Sequence, residues 1–498
     1  MKMNRLVLFA GVGLIAAALH FIPMRAVAAD LTEDFAVSLP RLAPGETVVV
    51  PLPDGSIQRG EVRHVRREEG GWTRLGGTLA TGGSFSFSTH DGAIAGMVQL
   101  PREGRAWQIR PQPNGASAFF ERRLGEVVCV GMPRREGFAE RVGEADTNVV
   151  PIFDSRPGAA AVLYLDFDGA TVTDPLWDGG RTIVAPRARL SNKAIKKVWA
   201  HVAGDYSAFN INISTDPSRY ANAAIGSRMR AIITRNDAAA PRAGGVAYIG
   251  SFAHDPQDGF SADIPCWVFE DSSVDACAEA LSHELGHTLG LNHDGRELPR
   301  GHEEYYAGHG SGATGWVPIM GVAYYRRLSQ WSKGEYRNAN NQEDDVAIVA
   351  GGANGFGFVP DEAGGTLGTA ADLTVAGLIV NQSGVIRKDT DVDVFKFTTS
   401  GGKLAVRVKP DDGEANVDLL VDLLDSGGAT VKSNNPKGGL SAAIERPLAA
   451  GTYYLRVSGT GKGDPLRSGY SSYGSIGSYR VVGKIAGLSA APARVGVE

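Results

Sequence analysis

Two histidines and a glutamate in one short segment carry the clearest chemical signal in the sequence. His283 and His287 stand four residues apart, and Glu284 directly follows the first of them. The alanine- and leucine-rich run from 276 to 285 favours a helix, and residues 271–273 offer N-caps. On a helix this spacing puts the two imidazoles one turn apart, where both can bind one Zn²⁺ at about 2.0 Å. Glu284 would then lie beside the metal, where it can act as a general base.

A third nitrogen ligand follows a few residues later. Gly290 can end the helix in a left-handed turn that brings His293 back toward the first two histidines. Three nitrogen ligands leave one tetrahedral position free, which is typical of a catalytic zinc site rather than a structural one. The pattern therefore predicts metal-assisted hydrolysis. With three ligands already supplied, surface or structural roles are expected for His254, His302 and His309.

The extended motif also carries a family resemblance. His283-Glu284-x-x-His287-x-x-Gly290-x-x-His293-Asp294 resembles the signature of the metzincin zinc peptidases. Asp294 is similar to the residue that follows the third histidine in the adamalysin or reprolysin group. The resemblance covers about Ala159 to Gly351, and it implies an α/β (α+β) catalytic domain that cleaves peptide bonds.

Two further segments resemble metzincin features. Pro318-Ile319-Met320-Gly321 is similar to the Met-turn, which implies that Met320 forms a hydrophobic floor under the metal. Gly245-Val246-Ala247-Tyr248 is similar to the edge strand that pairs with an extended substrate through backbone hydrogen bonds. Some metzincins place a tyrosine two residues after the methionine, but that position here is Val322. No tyrosine is therefore assigned a role.

The three cysteines allow several interpretations. Cys129 lies upstream of the zinc motif, and its thiolate could occupy the open zinc position, as in the cysteine switch of some metzincin zymogens. Its surroundings differ from the usual matrixin motif, and a small buried residue in a β domain is an equally weighted alternative. Cys266 and Cys277 flank the start of the zinc helix and could form a disulfide. Unpaired, they would be small buried side chains.

The spacing of apolar residues predicts the strands and helices that must position these side chains. Residues 162–167 predict a buried strand, and a helix begins near Ser191 or Asn192 with Ile195, Val198, Trp199 and Val202 on one stripe. Further strands are predicted around Ile211, over 229–234 and over 244–250. Strands alternating with helices indicate an α/β layer.

The N-terminal third has a different texture. Lys2, Arg5, an apolar run and an Ala-rich end at 26–29 predict a signal peptide over 1–29, and hence a secreted, extracellular or periplasmic protein. Residues 30–155 predict a β-rich propeptide, including a turn at Asp91-Gly92, and end in an exposed linker from 134 to 156. An intramolecular inhibitor is the expected role, since a protease active during export would endanger its own cell.

The C-terminal third predicts a β-sandwich over 359–498, after a catalytic domain over 156–358. Residues 391–397, 423–428 and 450–457 resemble the bacterial pre-peptidase C-terminal domain, an accessory module of secreted peptidases. Asp389, Asp391 and Asp393 could offer oxygens to Ca²⁺, although a solvated turn is the favoured interpretation.

The composition argues against nucleic-acid binding and against a membrane helix after the signal peptide. The net charge of -5 and the charged fraction of 21% give no electrostatic basis for binding nucleic acid. After the signal peptide, the sequence contains no stretch with the roughly 20 apolar residues that a membrane helix needs.

The sequence therefore predicts a secreted, latent zinc endopeptidase acting on proteins or peptides. Two alternatives remain: an extracellular binding or adhesion protein with an inactive zinc site, and a cell-wall amide hydrolase. The presence of Glu284 with all three histidines favours an active enzyme.

Overall fold

The protein is rich in β-strands and has few helices. A computed structural model describes residues 26–27, 33–67, 71–112, 117–129, 149–253, 261, 263–411 and 416–488. Of the predicted signal peptide only Ala26–Val27 is described, and residues 134–148 of the predicted linker also lie outside the described residues. The α-helices in the described ranges are Glu33–Ser38, Asn192–Asp205, Pro217–Asn222, Val274–Thr288 and Asp345–Val349. None of these helices is long and apolar enough to cross a membrane.

The N-terminal unit is one antiparallel sheet, here called the leader sheet, in which consecutive strands pair with each other. The predicted turn joins two of its strands, because Asp91 and Gly92 both have positive φ, as a tight hairpin requires. The prediction of a β-rich segment is confirmed. Its strands are Thr47–Pro51, Ile57–Arg67, Thr73–Leu79, Ser84–His90, Ala93–Leu100, Arg105–Pro111 and Ser117–Arg123, and Ala26–Val27 pairs with the last.

The middle unit is built on a five-stranded mixed sheet, here called the central sheet. Four strands are parallel and the fifth is an antiparallel edge. The strand Ala161–Asp166 is buried along its whole length, as expected when both faces of a parallel sheet are covered. In spatial order the strands are Ile211–Ser214, Ala161–Asp166, Arg228–Ile233, Cys266–Val268 and Gly245–Val246.

Two helices cover the central sheet. The helix Asn192–Asp205 begins as predicted, because the Ser191 side chain accepts a hydrogen bond from the backbone N–H of Ala194. The second helix, Val274–Thr288, is capped in the same way by Ser273 and packs against the first. This second helix, here called the active-site helix, carries His283 and His287.

The edge of the central sheet differs from the prediction. The sequence predicts a strand over residues 244–250, but only Gly245–Val246 is regular strand. Beyond it the chain turns toward the active-site helix, and the Gly250 N–H donates to the His287 carbonyl oxygen at 2.8 Å. This bond fixes the edge segment beside the motif.

Short paired strands complete the middle unit. The described pairs are Ala170–Val172 with Ile183–Ala185, Arg296–Glu297 with His302–Glu303, and Trp316–Pro318 with Leu328–Gln330. The last two pairs frame the loops that follow the active-site helix.

The C-terminal unit is the predicted β-sandwich, here called the tail sandwich. Each of its two sheets contains five strands, and their apolar side chains alternate inward. One sheet contains Ala371–Asp372, Val392–Thr399, Gly451–Gly459, Leu419–Leu424 and Thr430–Asn434. The other contains Val375–Ala376, Ile379–Ile386, Gly477–Ile485, Gly402–Pro410 and Ala442–Leu448.

The tail sandwich shares its core with the middle unit. A single apolar cluster contains Ile195 and Leu281 from the two helices together with Val421 and Leu455 from the sandwich. The sandwich is therefore packed against the middle unit rather than tethered beside it.

Buried polar contacts reinforce this joint. The Asn416 side chain donates to the Asp205 carboxylate, and the same carboxylate accepts from Ser282, which directly precedes His283. The Gln330 side chain also donates to the Asn416 carbonyl oxygen at 2.5 Å. The tail thus contacts the active-site helix through one intervening side chain.

Tyr473 allows the contact between the tail sandwich and the middle unit to be tested. Its hydroxyl donates to Asp344 Oδ1 at 2.6 Å and accepts from the Val346 N–H at 2.9 Å. We expect Tyr473→Phe to lower the free energy of unfolding of the full chain by about 1–3 kcal/mol, since the buried Val346 N–H loses its acceptor and Asp344 Oδ1 keeps only the Ala347 N–H. Chemical-denaturation curves measure the change. Tyr453→Phe is the matched control, because the exposed Tyr453 hydroxyl makes one 3.3 Å bond. Equal curves for the two variants would contradict an integrated tail.

Candidate metal centre

The active-site helix brings His283 and His287 together in the interior. Their Nε2 atoms are 3.0 Å apart, and both side chains are fully buried. The carbonyl oxygen of Ile319 lies 3.0 Å from His283 Nδ1, and that of Leu291 lies 2.7 Å from His287 Nδ1. Because a carbonyl only accepts, the proton of each ring belongs on Nδ1, which leaves both Nε2 lone pairs free for a metal.

Burial also sets the charge of these two rings. It lowers the pKa of His283 to about 3, with a smaller contribution from the neighbouring His293. Burial lowers the pKa of His287 well below its usual value for the same reason. Both imidazoles are therefore neutral at physiological pH, which is the form that binds a metal.

His293 reaches the same place from the loop after the helix. Gly290 has a φ of +106°, a left-handed conformation that lets the chain reverse after Thr288, as predicted. His293 Nδ1 then lies 2.6 Å from Glu304 Oε1, and this bond lowers the pKa of Glu304. A carboxylate on the outer nitrogen orients a ligating histidine and raises its basicity.

Cys129 completes a group of four candidate ligands. One potential ligand atom from each of Cys129, His283, His287 and His293 lies within 4.8 Å of the other three. Cys129 Sγ is 3.2 Å from His293 Nε2, and the cysteine is buried. Three imidazole nitrogens and one thiolate are a donor set that suits Zn²⁺. The residues present therefore fit the metal that the motif predicts.

Glu284 directly follows His283 on the active-site helix and is fully buried. Both of its carboxylate oxygens are buried and have no hydrogen-bond partner among the described residues. Burial raises the pKa of this carboxyl well above its usual value. Since buried polar atoms are nearly always satisfied, the two oxygens indicate a place for water or a substrate group.

Two glycines allow the close packing around the site. A Cβ on Gly245 would lie 2.6 Å from Glu284 Cγ, so only glycine lets the edge strand approach the carboxylate. A Cβ on Gly286 would lie 2.6 Å from Met320 Sδ. Met320 is fully buried under the helix, where the sequence places the floor of the site.

The N-terminal unit through Cys129, here called the leader, pairs with the edge segment that the sequence predicts to bind substrate. Val128 pairs antiparallel with Tyr248. The Cys129 N–H donates to the Ala247 carbonyl at 2.9 Å, and the Ile249 N–H donates to the Val127 carbonyl at 3.0 Å. The paired segment lies mainly beyond Gly245 and Val246, which themselves pair with Val268 and Trp267.

The leader sheet reinforces this contact from behind. The Gln99 side chain donates to the Tyr248 hydroxyl at 2.6 Å, and that hydroxyl donates to the Leu176 carbonyl at 2.9 Å. Met97 and Ala106 of the sheet share an apolar cluster with Tyr248. The leader is thus held against the catalytic unit at more places than Cys129.

The disulfide that the sequence allows is not formed. Cys266 and Cys277 are both free and fully buried among the apolar side chains of the core. Burial raises the pKa of each thiol well above its usual value, so both stay protonated. The alternative interpretation, two small buried side chains, describes them.

His302 and His309 lie outside the metal group. His309 Nε2 is 2.5 Å from the Gly469 carbonyl oxygen, and the Tyr306 hydroxyl lies 2.7 Å from His309 Nδ1. His302 is exposed and lies 3.4 Å from Glu304. His254 lies outside the described residues.

The three aspartates that could offer oxygens to Ca²⁺ are only partly brought together. Asp391 and Asp393 lie together with Asp361 rather than with Asp389. The Arg387 guanidinium pairs with both Asp391 and Asp361, at 2.8 and 2.7 Å, and supplies positive charge to the group. A calcium ion there remains a prediction without further support.

Two functional candidates escape sequence analysis. Glu304 and Tyr305 belong to a loop outside the motif, yet the Tyr305 ring centroid lies 4.3 Å from that of His293. Neither residue falls at a motif spacing. Only the path of the chain after the third histidine reveals them.

Comparisons with known proteins agree with two parts of the chain. Residues 205–294 match the family model of the reprolysin-like metallopeptidases, family M12B, which supports a zinc metalloprotease. Residues 391–459 match the bacterial pre-peptidase C-terminal domain. No curated protein matches the chain.

Solved structures resemble small parts of the chain. The pre-peptidase C-terminal domain of a collagenase from Bacillus anthracis is 18% identical, with 25% of this chain and 98% of that chain covered and a TM-score of 0.17. A mitogen from Yersinia pseudotuberculosis is 16% identical, with 22% of this chain and 87% of that chain covered and a TM-score of 0.15. The chain thus joins a segment that matches the reprolysin-like metallopeptidases of family M12B to one that matches the bacterial pre-peptidase C-terminal domain.

Proposed function

We propose that the protein is a secreted zinc-dependent endopeptidase that is made as a latent zymogen. The observation that carries this proposal is the buried group of His283, His287, His293 and Cys129 beside the unpartnered carboxylate of Glu284. Zn²⁺ held by the three histidines would act as a Lewis acid that polarises a peptide carbonyl and lowers the pKa of water.

The chain's own residues supply the rest of the mechanism. Glu284 accepts a proton from the attacking water and later delivers it to the leaving amine. The backbone from Gly245 to Ile249 aligns an extended protein or peptide substrate through strand-like hydrogen bonds. Glu304 holds His293 in its ligating orientation.

Latency follows from what the leader occupies. Cys129 would supply the fourth ligand to a zinc ion held by the three histidines, and its flanking backbone pairs with the edge segment. A thiolate at that position excludes water, and the paired leader excludes substrate. Removal of the leader after export would open both positions.

The proposed organisation keeps the sequence-based boundaries. Residues 1–29 are the signal peptide, 30–155 the inhibitory leader, 156–358 the catalytic domain and 359–498 the tail sandwich. The extended edge segment favours protein or peptide substrates over a cell-wall amide, and the intact Glu284 favours catalysis over a purely adhesive role.

The first test removes the base. We expect Glu284→Gln to lower hydrolysis of unfolded casein by the processed protein about 10²-fold or more, because the amide cannot accept the proton of water. Zinc content should stay unchanged, since the side chain is not a ligand. Chelation should abolish wild-type activity, and added Zn²⁺ should restore it.

The exposed Glu297 provides the matched control. Glu297→Gln should retain wild-type turnover. A zinc-loaded, folded wild type no more active than Glu284→Gln would refute general proteolysis and leave a binding role.

The second test concerns latency. We expect Cys129→Ser in the full chain to shorten the delay before self-processing, because a serine hydroxyl is a far weaker zinc ligand than a thiolate. Appearance of the processed form over time, followed on gels, measures the effect. Cys277→Ala is the control, because this buried cysteine lies outside the metal group. Identical time courses for the wild type and Cys129→Ser would argue against a cysteine switch.

A further inference from the structure

Tyr305 is the residue beside the metal centre to which the proposed mechanism gives no role. Its ring centroid lies 4.3 Å from that of His293 and 6.0 Å from that of His283. It directly follows Glu304, whose carboxylate is bonded to His293. The position of the ring is therefore fixed by the same loop that orients the third histidine.

The hydroxyl of Tyr305 reaches the residue that would supply the fourth zinc ligand in the latent chain. It hydrogen-bonds to the side chain of Cys129, whose Sγ belongs to the group of four candidate ligand atoms. The atom that replaces Sγ after the leader departs will lie within reach of the same hydroxyl. For a peptidase that atom belongs to the reacting water or to the substrate carbonyl.

The chemistry of the reaction requires a donor at this place. Attack of water on a peptide carbonyl places negative charge on the carbonyl oxygen, and a preorganised donor in a buried site stabilises that charge strongly. Glu284 is already assigned to the proton of the attacking water, so a different group must supply this donor. A phenol is a donor at neutral pH.

Another buried tyrosine lies near Glu284 but is placed differently. The Tyr324 hydroxyl has no hydrogen-bond partner among the described residues. Burial raises its pKa most, and among its charged neighbours Glu270 has the largest effect. The hydroxyl known to contact the thiol at the ligand position is that of Tyr305. This contact distinguishes the two residues.

We propose that Tyr305 is a catalytic residue whose hydroxyl donates a hydrogen bond to the oxygen of the scissile carbonyl as negative charge develops on it. In the latent chain the same hydroxyl contacts the Cys129 thiol instead. The inference rests on the proposed peptidase function. It adds a second protein group to catalysis. This group acts on the substrate carbonyl, whereas Glu284 acts on the water.

The kinetic test compares Tyr305→Phe with Tyr325→Phe in the processed protein. We expect Tyr305→Phe to lower kcat about 10²-fold, because the donor acts on charge that exists only in the transition state. KM and zinc content should stay within about twofold of the wild type, since a donor specific to the transition state adds little to ground-state binding. Tyr325 is more than half exposed, and its variant should behave as the wild type.

A binding measurement separates this role from a structural one. A peptide phosphonamidate mimics the charged tetrahedral state, so Tyr305→Phe should weaken its binding, measured by calorimetry, by about the same factor as kcat/KM. Unchanged kcat, or lowered kcat with unchanged phosphonamidate affinity, would overturn the inference. A wild type that cleaves no peptide would overturn the proposed function instead, and the phosphonamidate comparison would still decide the role of the hydroxyl.

Discussion

The rest of the structure depends on the gathering of three imidazoles and a thiol around one point, with His293 partly buried and the other three side chains buried. Burial lowers the pKa values of His283 and His287, which keeps both rings neutral and available as ligands. Neutral rings crowded without a partner would leave buried lone pairs unsatisfied, and a shared metal ion removes that cost. The active-site helix, the Gly290 reversal and the Glu304 loop all act to bring these side chains together.

The sequence predicts the part of the site that lies on one local element. His283, Glu284 and His287 are fixed relative to each other by helical spacing, and Gly290 explains the return of His293. Glu304 and Tyr305 could not be found in this way, since their proximity depends on the path of a loop with no characteristic spacing. The predicted strand over 244–250 was too long, because the chain leaves the sheet to bond with His287.

The two flanking units bind the catalytic unit differently. The leader uses its backbone, Cys129 and an apolar cluster that is separate from the cluster the tail joins. The tail sandwich shares the core itself and reaches the residue before His283 through Asn416 and Asp205. Alternating β patterns predicted both units, but a pattern that reports only which face is buried cannot tell what covers that face.

The central claim is that the three histidines and Cys129 share one zinc ion in the latent chain. X-ray absorption at the zinc edge of the full-length wild type and of Cys129→Ser tests it most directly. The account predicts three nitrogen ligands at about 2.0 Å and one sulfur at about 2.3 Å in the wild type, with the sulfur lost in the variant. A wild-type spectrum without sulfur, or one that the substitution leaves unchanged, would contradict it.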